Sequence, residues 1–179
     1  MAKRFLDEAQ VVSVIAPLDL DTDRTGKYVS LKNYGRAVFI FTKSPGTAGD
    51  DANLDFQQAT DIAGTSAKDL DVVATYWTKQ AATDLTGVGT FTENTQSAAS
   101  EIDFNATSAE QALLAVVEIR SDQLDVSNGY DCVSVNATLD ASTLPMLAQF
   151  GGEDAATAAF DEPLTREQVT AIVAPFIVG

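Results

Sequence analysis

The stretch that most constrains the fold is residues 28–43, which passes from a polar turn into an unbroken apolar run at residues 37–41. Successive side chains of a β-strand point to opposite sides, so Val38 and Ile40 face one way and the other three residues of the run face the other. A strand that is apolar on both faces is buried on both faces. The sequence therefore predicts that this strand lies centrally in the core, between two layers.

A second strand of the same kind is predicted at residues 112–119, and shorter alternating segments lie on either side of it. Turns rich in Gly, Pro and Asn separate these segments, which is typical of six or seven short strands. The predicted fold is all-β, mainly an antiparallel sandwich or barrel with a few short helices and an extended or helical C-terminal tail. The predicted organisation is an N-terminal arm at residues 1–10, a β-sandwich or barrel domain at residues 11–144 and a C-terminal extension at residues 145–179.

Two alternating segments give sharper local predictions. Residues 53–60 follow the turn-rich residues 44–51 and alternate between apolar and polar, which predicts a hairpin with the central strand. Residues 69–78 also alternate, so a single strand is predicted there. One face of that strand is predicted to carry four residues, namely Leu70, Val72, Ala74 and Tyr76.

The remaining segments are less regular. Residues 79–111 are rich in Thr, Ser, Gly and Ala, which favours short edge strands and a long loop. Near the C-terminus, Thr165 and Gln168 stand at the spacing of a capping box. This spacing predicts a short helix that ends at Pro175.

The chain is strongly acidic and contains no histidine, which excludes several classes of function. Its net charge is −15 and its pI is about 4.1, whereas nucleic acids and anionic membranes are bound through Lys and Arg. Without histidine, Ser-His and Cys-His nucleophile pairs and His-based zinc sites cannot form. The one cysteine, Cys132, leaves no intrachain disulfide and is predicted to be a buried structural thiol. We therefore expect no catalytic residues, no cofactor, no nucleic-acid partner and no membrane partner.

Neither end of the sequence carries a targeting or membrane-spanning signal. Asp7 and Glu8 interrupt any signal-type apolar run near the N-terminus. The apolar run at residues 171–179 is much shorter than the ~20 residues that cross a membrane. The chain is therefore expected to stay inside the cell that makes it until assembly or lysis.

The acidic loop at residues 19–26 contains a metal-like pattern. Asp21, Asp23 and Thr25 alternate before Gly26, as in the first half of a calcium loop. The twelfth position of such a loop would be Lys32, where a bidentate Glu belongs, and no flanking helices are predicted. The pattern favours a solvated acidic loop, and no metal ligand is assigned.

Trp77, with Tyr76 and Lys79 beside it, has the residue types of a base-stacking platform. At strand spacing in an acidic protein, the favoured interpretation is instead packing in the core or at a subunit interface. Trp77 is therefore a candidate interface residue.

Several short stretches between residues 26 and 135 resemble a family of tailed-bacteriophage virion structural proteins that are encoded among head genes. The stretches follow the expected order, and none of them is catalytic. We call them the signature segments: Tyr28-Val-Ser-Leu-Lys-Asn-Tyr34, Leu54-Asp-Phe-Gln-Gln-Ala-Thr60, Gly64-Thr-Ser-Ala-Lys68, Tyr76-Trp77, Val117-Glu-Ile-Arg-Ser-Asp-Gln-Leu-Asp125 and Asn128-Gly-Tyr-Asp-Cys-Val133.

The resemblance implies a non-enzymatic virion component, a head decoration (cement) protein that stabilises the capsid by protein–protein contacts. It implies assembly in the host cytoplasm, a final location on the capsid surface, and two partners, the major capsid protein and further copies of the chain. Self-assembly would then use strand edges, the terminal arms and four apolar residues, namely Phe160, Ile172, Phe176 and Ile177. Two alternatives stay open at this point: another head or tail virion protein, and a carbohydrate-binding β-sandwich module or hydrolase that uses the acidic loops.

Overall fold

The strand predicted at residues 37–41 is present, and it lies inside the larger of two antiparallel sheets. The structure is a computed structural model that describes residues 9–15, 23–43, 52–81, 85, 90–104, 111–139 and 169–176. The two sheets pack face to face, so the predicted all-β antiparallel fold is confirmed. The strands in chain order are β1 (Val12–Ser13), β2 (Val29–Ser30), β3 (Arg36–Lys43), β4 (Ala52–Ala59), β5 (Lys68–Asp69), β6 (Val73–Ala81), β7 (Thr92–Ala99), β8 (Glu101–Asp103), β9 (Ala112–Arg120), β10 (Cys132–Leu139) and β11 (Val169–Phe176).

The six-stranded sheet has the order β1-β11-β3-β9-β6-β7. The five-stranded sheet has the order β2-β10-β4-β5, and β8 also pairs with β4. Two short 3-10 turns, Ser121–Gln123 and Val126–Asn128, join β9 to β10. Both strands that the sequence shows as apolar on two sides, β3 and β9, are neighbours in the interior of the six-stranded sheet.

Aromatic side chains from the two sheets join in the core. Phe39 of β3 meets Phe56 of β4 edge to face, with ring centroids 5.2 Å apart. Phe41 stacks on Phe104 at 5.7 Å, and Tyr76 meets the same Phe104 ring edge to face at 6.0 Å. Such pairs add roughly 0.5–1.5 kcal/mol each to the free energy of burial. They fix which face of β3 points inward.

The predicted hairpin between β3 and β4 is wrong. β4 pairs with β10 over its whole length, from Cys132 opposite Ala59 to Leu139 opposite Ala52. Both sides of β3 are instead occupied by β11 and β9. The large apolar side chains of β4, Leu54 and Phe56, lie on one face, whereas β3 and β9 carry large apolar side chains on both. The chain therefore crosses between the sheets after β3, and β4 joins the sheet whose outer face is polar.

The single strand predicted at residues 69–78 is also wrong, because the segment is divided between the two sheets. β5 pairs with β4, whereas β6 pairs with β7 and β9. An irregularity between Val73 and Thr75 shifts the alternation, so Val73 is buried and Ala74 is exposed. Periodicity alone does not reveal such a bulge, since it inserts one residue without changing the local composition.

The helix predicted to end at Pro175 is a strand where the structure describes it. β11 pairs with β3 from Val169 opposite Lys43 to Phe176 opposite Arg36. The short strand β1 pairs only with Ile172 and Val173, so β11 has no described neighbour on that side at Pro175. A missing backbone donor costs little at such an edge. The gain from pairing with β3 therefore outweighs the local helix signal, whose capping-box residues lie outside the described part of the chain.

Gly26 lets the chain pass directly over β10. A Cβ atom at this position would overlap the backbone oxygen of Val135 and lie 2.8 Å from Ser134 Oγ. The neighbouring Arg24 exchanges two backbone hydrogen bonds with Ala137, at 2.8 and 2.9 Å. The described glycines with a left-handed backbone are Gly64 and Gly129, so Gly26 does not make the sharp turn of a calcium loop. Its role is close packing.

We expect Gly26→Ala to lower the free energy of unfolding by about 3 kcal/mol, because the backbone of β10 must move to admit the methyl group. Gly129→Ala is the matched control, since that site has a φ of 85° but no atom within 4 Å of the new methyl. The control should lose only about 1 kcal/mol. Urea unfolding of both variants measures the difference. An equal or larger loss in Gly129→Ala would contradict the role assigned to Gly26.

Candidate functional site

The face of the six-stranded sheet that points away from the core is apolar at its centre. We call it the apolar face and define it by Val38 and Ile40 of β3, Leu114 and Val116 of β9, and Trp77 of β6. The strand register sets Ile40, Val116 and Trp77 side by side in one row. Their chain neighbours point the other way, into the core.

The apolar face is less well covered than the inner face. On the inner side, Phe39, Ala115 and Val117 are at most 2% exposed. On the apolar face, Val38 is 9% exposed and the other four residues are all partly exposed. Every described strand belongs to one of the two sheets, so the described strands form no third sheet above this face. A contiguous group of partly exposed apolar side chains is a candidate interaction surface.

Both signs of charge border the apolar face. Arg36 donates to both carboxylate oxygens of Glu118 on the neighbouring strand, at 3.1 and 3.2 Å. Lys79 follows Trp77 by two residues on β6, and Glu93 of β7 stands directly opposite Trp77. The border of this face is therefore close to neutral, although the chain as a whole carries a net charge of −15.

The outer face of the five-stranded sheet is acidic and polar. Asp55 accepts hydrogen bonds from Gln57, at 2.7 Å, and from Asn136, at 3.3 Å. Glu101 stands directly opposite Asp55, and Gln57 also donates to Asp69 at 2.7 Å. The charged residues at the paired positions of this face are all acids in the described part of the chain: Asp55, Asp69, Glu101 and Asp103. The two outer faces of the sandwich thus differ sharply in polarity and charge.

Asp125 is the centre of a polar cluster at the end of the sandwich where β9 and β10 are joined. Its carboxylate accepts from Lys68 Nζ at 2.6 Å, from Asn128 Nδ2 at 2.8 and 2.9 Å, and from Ser127 Oγ at 3.1 Å. Its backbone N–H donates to the side chain of Gln58 at 2.8 Å. These contacts connect β4, β5 and the second 3-10 turn.

The hydrogen bonds from Lys68 and Asn128 lower the pKa of Asp125 from 3.8 to about 2. The same contact raises the pKa of Lys68. Lys68 Nζ also lies 4.1 Å from the centre of the Tyr130 ring, a cation–π geometry. All these interactions stabilise the charged forms, so the cluster holds neighbouring segments together and keeps Asp125 ionised near neutral pH.

Cys132 is a buried thiol, as the sequence predicts. It is 1% exposed, and its Sγ donates to Asp131 Oδ1 at 3.0 Å. Burial, followed by the hydrogen bond to Asp131, raises the pKa of Cys132 to about 12. A thiol with this pKa carries almost no thiolate at neutral pH and is a poor nucleophile.

The structure describes three of the five candidate interface residues. Trp77 lies on the apolar face, and β11 carries Ile172 opposite Ile40 and Phe176 opposite Arg36. Phe160 and Ile177 lie outside the described residues. Sequence reasoning did not select Ile40, Leu114 and Val116, because it expected a layer on both sides of the central strands. The signal was present in the two-sided apolar pattern itself.

Among the described ranges, no group of three or more Asp, Glu, Cys or His side chains is arranged to hold a metal ion. The described segments also include no helix with the length and hydropathy of a membrane span. The apolar face is therefore the feature from which a function can be argued.

Asp125→Asn should lower the urea midpoint at pH 7, because the variant loses the charge that Lys68 binds. The folded pKa of Asp125 lies below the unfolded value of 3.8, so the stabilisation is present above about pH 4 and fades as the pH falls toward 2. The difference between the wild type and the variant should shrink through this window. The control is Asp122→Asn, whose ion pair with Arg120 is 61–72% exposed and should contribute little. A difference that is independent of pH would contradict this account.

No family model matches the chain, and comparisons with curated proteins and with solved structures also give no match.

Proposed function

We propose that this chain is a structural component of a tailed-phage virion, a decoration protein that stabilises the head by protein–protein contacts. The observation that carries the proposal is the arrangement of the signature segments. Five of the six, all except Tyr76-Trp77, contact one another at one end of the sandwich, although up to about a hundred residues of sequence separate them.

Specific contacts join these five segments. Ser30 pairs with Cys132, and Cys132 pairs with Ala59 on the other side of β10. The Tyr130 hydroxyl donates to the backbone oxygen of Ser66 at 3.0 Å, and Lys68 binds Asp125 at 2.6 Å. Further contacts run from Leu31 N to Asp131 O at 2.7 Å and from Asp125 N to Gln58 Oε1 at 2.8 Å. Gly64 lies so close to Tyr28 that an added Cβ atom would be 2.8 Å from its ring.

Chance matches of short segments would be scattered over a fold. Segments that contact one another constrain one another, since a change in one disturbs the hydrogen bonds of its neighbours. Their convergence in one cluster supports a scaffold shared with the virion family. The acid with the most strongly shifted pKa in the cluster is Asp125. Its contacts hold neighbouring segments together, which fits a structural role for the protein.

The two outer faces support an assembly role from a second direction. A shell component needs one surface that binds its neighbours and another that stays hydrated. The apolar face has the composition of the first, with Trp77, Ile40 and Val116 at its centre. The acidic outer face of the five-stranded sheet has the composition of the second, because dense negative charge opposes non-specific association.

Quantitative mass spectrometry of purified particles from the virus that encodes the chain tests the proposal. A decoration protein should be present in a simple ratio to the major capsid protein, on the order of hundreds of copies per particle, because it follows the symmetry of the shell. The major capsid protein and the portal, measured in the same digest, set the high and low ends of the scale. About a dozen copies or fewer would instead support a head-completion or tail protein. Absence from washed particles would contradict any virion role.

A further inference from the structure

We propose that the apolar face is the surface through which two copies of this chain bind each other, packed face to face about a two-fold axis. The inference goes beyond the proposed function, because it concerns contact between copies in solution, with or without a particle. It depends on three properties of the face: its apolar centre, its mixed charges and its size.

The apolar centre provides the driving force. Ile40, Val116 and Trp77 form a continuous row across three adjacent strands, with Val38 and Leu114 on either side of it. Ile40, Leu114, Val116 and Trp77 are partly exposed, whereas Val38 is 9% exposed and nearly buried beside them. Burying this surface against a second copy removes it from water, which is favourable by about 25 cal/mol per Å².

Charge selects a second copy as the partner, and it also selects this face. A two-fold interface is formed by the same patch from both subunits, so the patch must be complementary to itself. The border of the apolar face meets this condition, since it carries Arg36 and Lys79 as well as Glu118 and Glu93. Contact through the acidic outer face would set like charges against each other in a chain whose net charge is already −15.

The size of the face predicts a weak dimer. Together with its borders on β11 and β7, the apolar face spans five strands about 4.8 Å apart and about seven residues long, which gives a contact area of roughly 550 Å² per copy. Two copies would bury roughly 1,100 Å² together, near the lower end of specific interfaces. We therefore expect a dissociation constant on the order of micromolar in solution. Simultaneous contacts within an array would strengthen the association further.

Trp77 is the sole tryptophan of the chain, so its fluorescence reports on this face alone. The experiment follows sedimentation equilibrium and Trp77 emission of the full chain from about 1 µM to several hundred micromolar, with salt added to screen the net charge. The average mass should rise from the 18.9 kDa of one chain toward twice that value. Over the same range, Trp77 emission should shift to shorter wavelength and its quenching by acrylamide should decrease.

Two substitutions on the face and one control locate the contact. Val116→Glu should raise the dissociation constant at least tenfold, because it buries a charge at the centre of the interface. Val116→Thr keeps the shape and the β-branch, so it should fold even if the Glu variant does not, and it should weaken association several-fold. Ile62→Glu makes the same type of change at a loop residue that is 70% exposed, and it should leave association unchanged.

Each contrary outcome overturns the proposal. A mass of one chain at every concentration would exclude the dimer. If Trp77 were then shielded at all concentrations, the occupant of the face would be another part of the same chain; if it stayed accessible, the partner would be a different protein. Dimers that persist unchanged in Val116→Thr, or that are lost in Ile62→Glu, would move the interface elsewhere.

Discussion

The structure depends on two adjacent strands that carry apolar side chains on both faces within a sandwich that buries only one face of each sheet. β3 and β9 are apolar on both faces, and the register sets them side by side in the six-stranded sheet. A two-layer sandwich buries only one face of each sheet. The inner side chains, such as Phe39 and Val117, are almost fully buried, while Ile40 and Val116 keep part of their surface open. The pattern that drives the fold therefore also leaves an apolar surface that the described residues do not cover.

The two outer faces of the sandwich differ in charge. The five-stranded sheet faces outward with Asp55, Glu101 and their hydrogen-bonded amides, and it is suited to contact with water. The apolar face has both signs of charge around it and nearly none at its centre. At one end, the cluster around Asp125 braces the signature segments. The described part of the molecule thus has a polar cluster that braces the fold, an acidic outer face and an apolar outer face.

The sequence was informative where a single strand determines its own environment. The interior position of β3 in its sheet, the β9 strand, the buried Cys132 and the all-β class all followed from local patterns, whereas no described strand forms the second layer predicted over β3. The sequence was misleading where pairing depends on distant segments. β4 joins β10 rather than β3, and β11 is a strand because β3 has a side for it to pair with, although a capping box precedes it. The role of Gly26 was also hidden, since its constraint comes from the backbone of Val135, more than a hundred residues away. Within the apolar face, the sequence identified only Trp77 as a candidate interface residue. A strand that is apolar on both faces shows the same sequence pattern whether its second face packs against the same chain or against another molecule.

The most direct test of the account is site-specific cross-linking of the apolar face. Cys132 is 1% exposed with a pKa of about 12, so an added surface cysteine becomes the one reactive thiol of the chain. The measurement is the mass of the product when Val116→Cys or Ile62→Cys protein is treated with a short thiol-to-thiol cross-linker. The account predicts a two-chain product from Val116→Cys and single chains from Ile62→Cys. Single chains from Val116→Cys at concentrations where the wild type associates would contradict it.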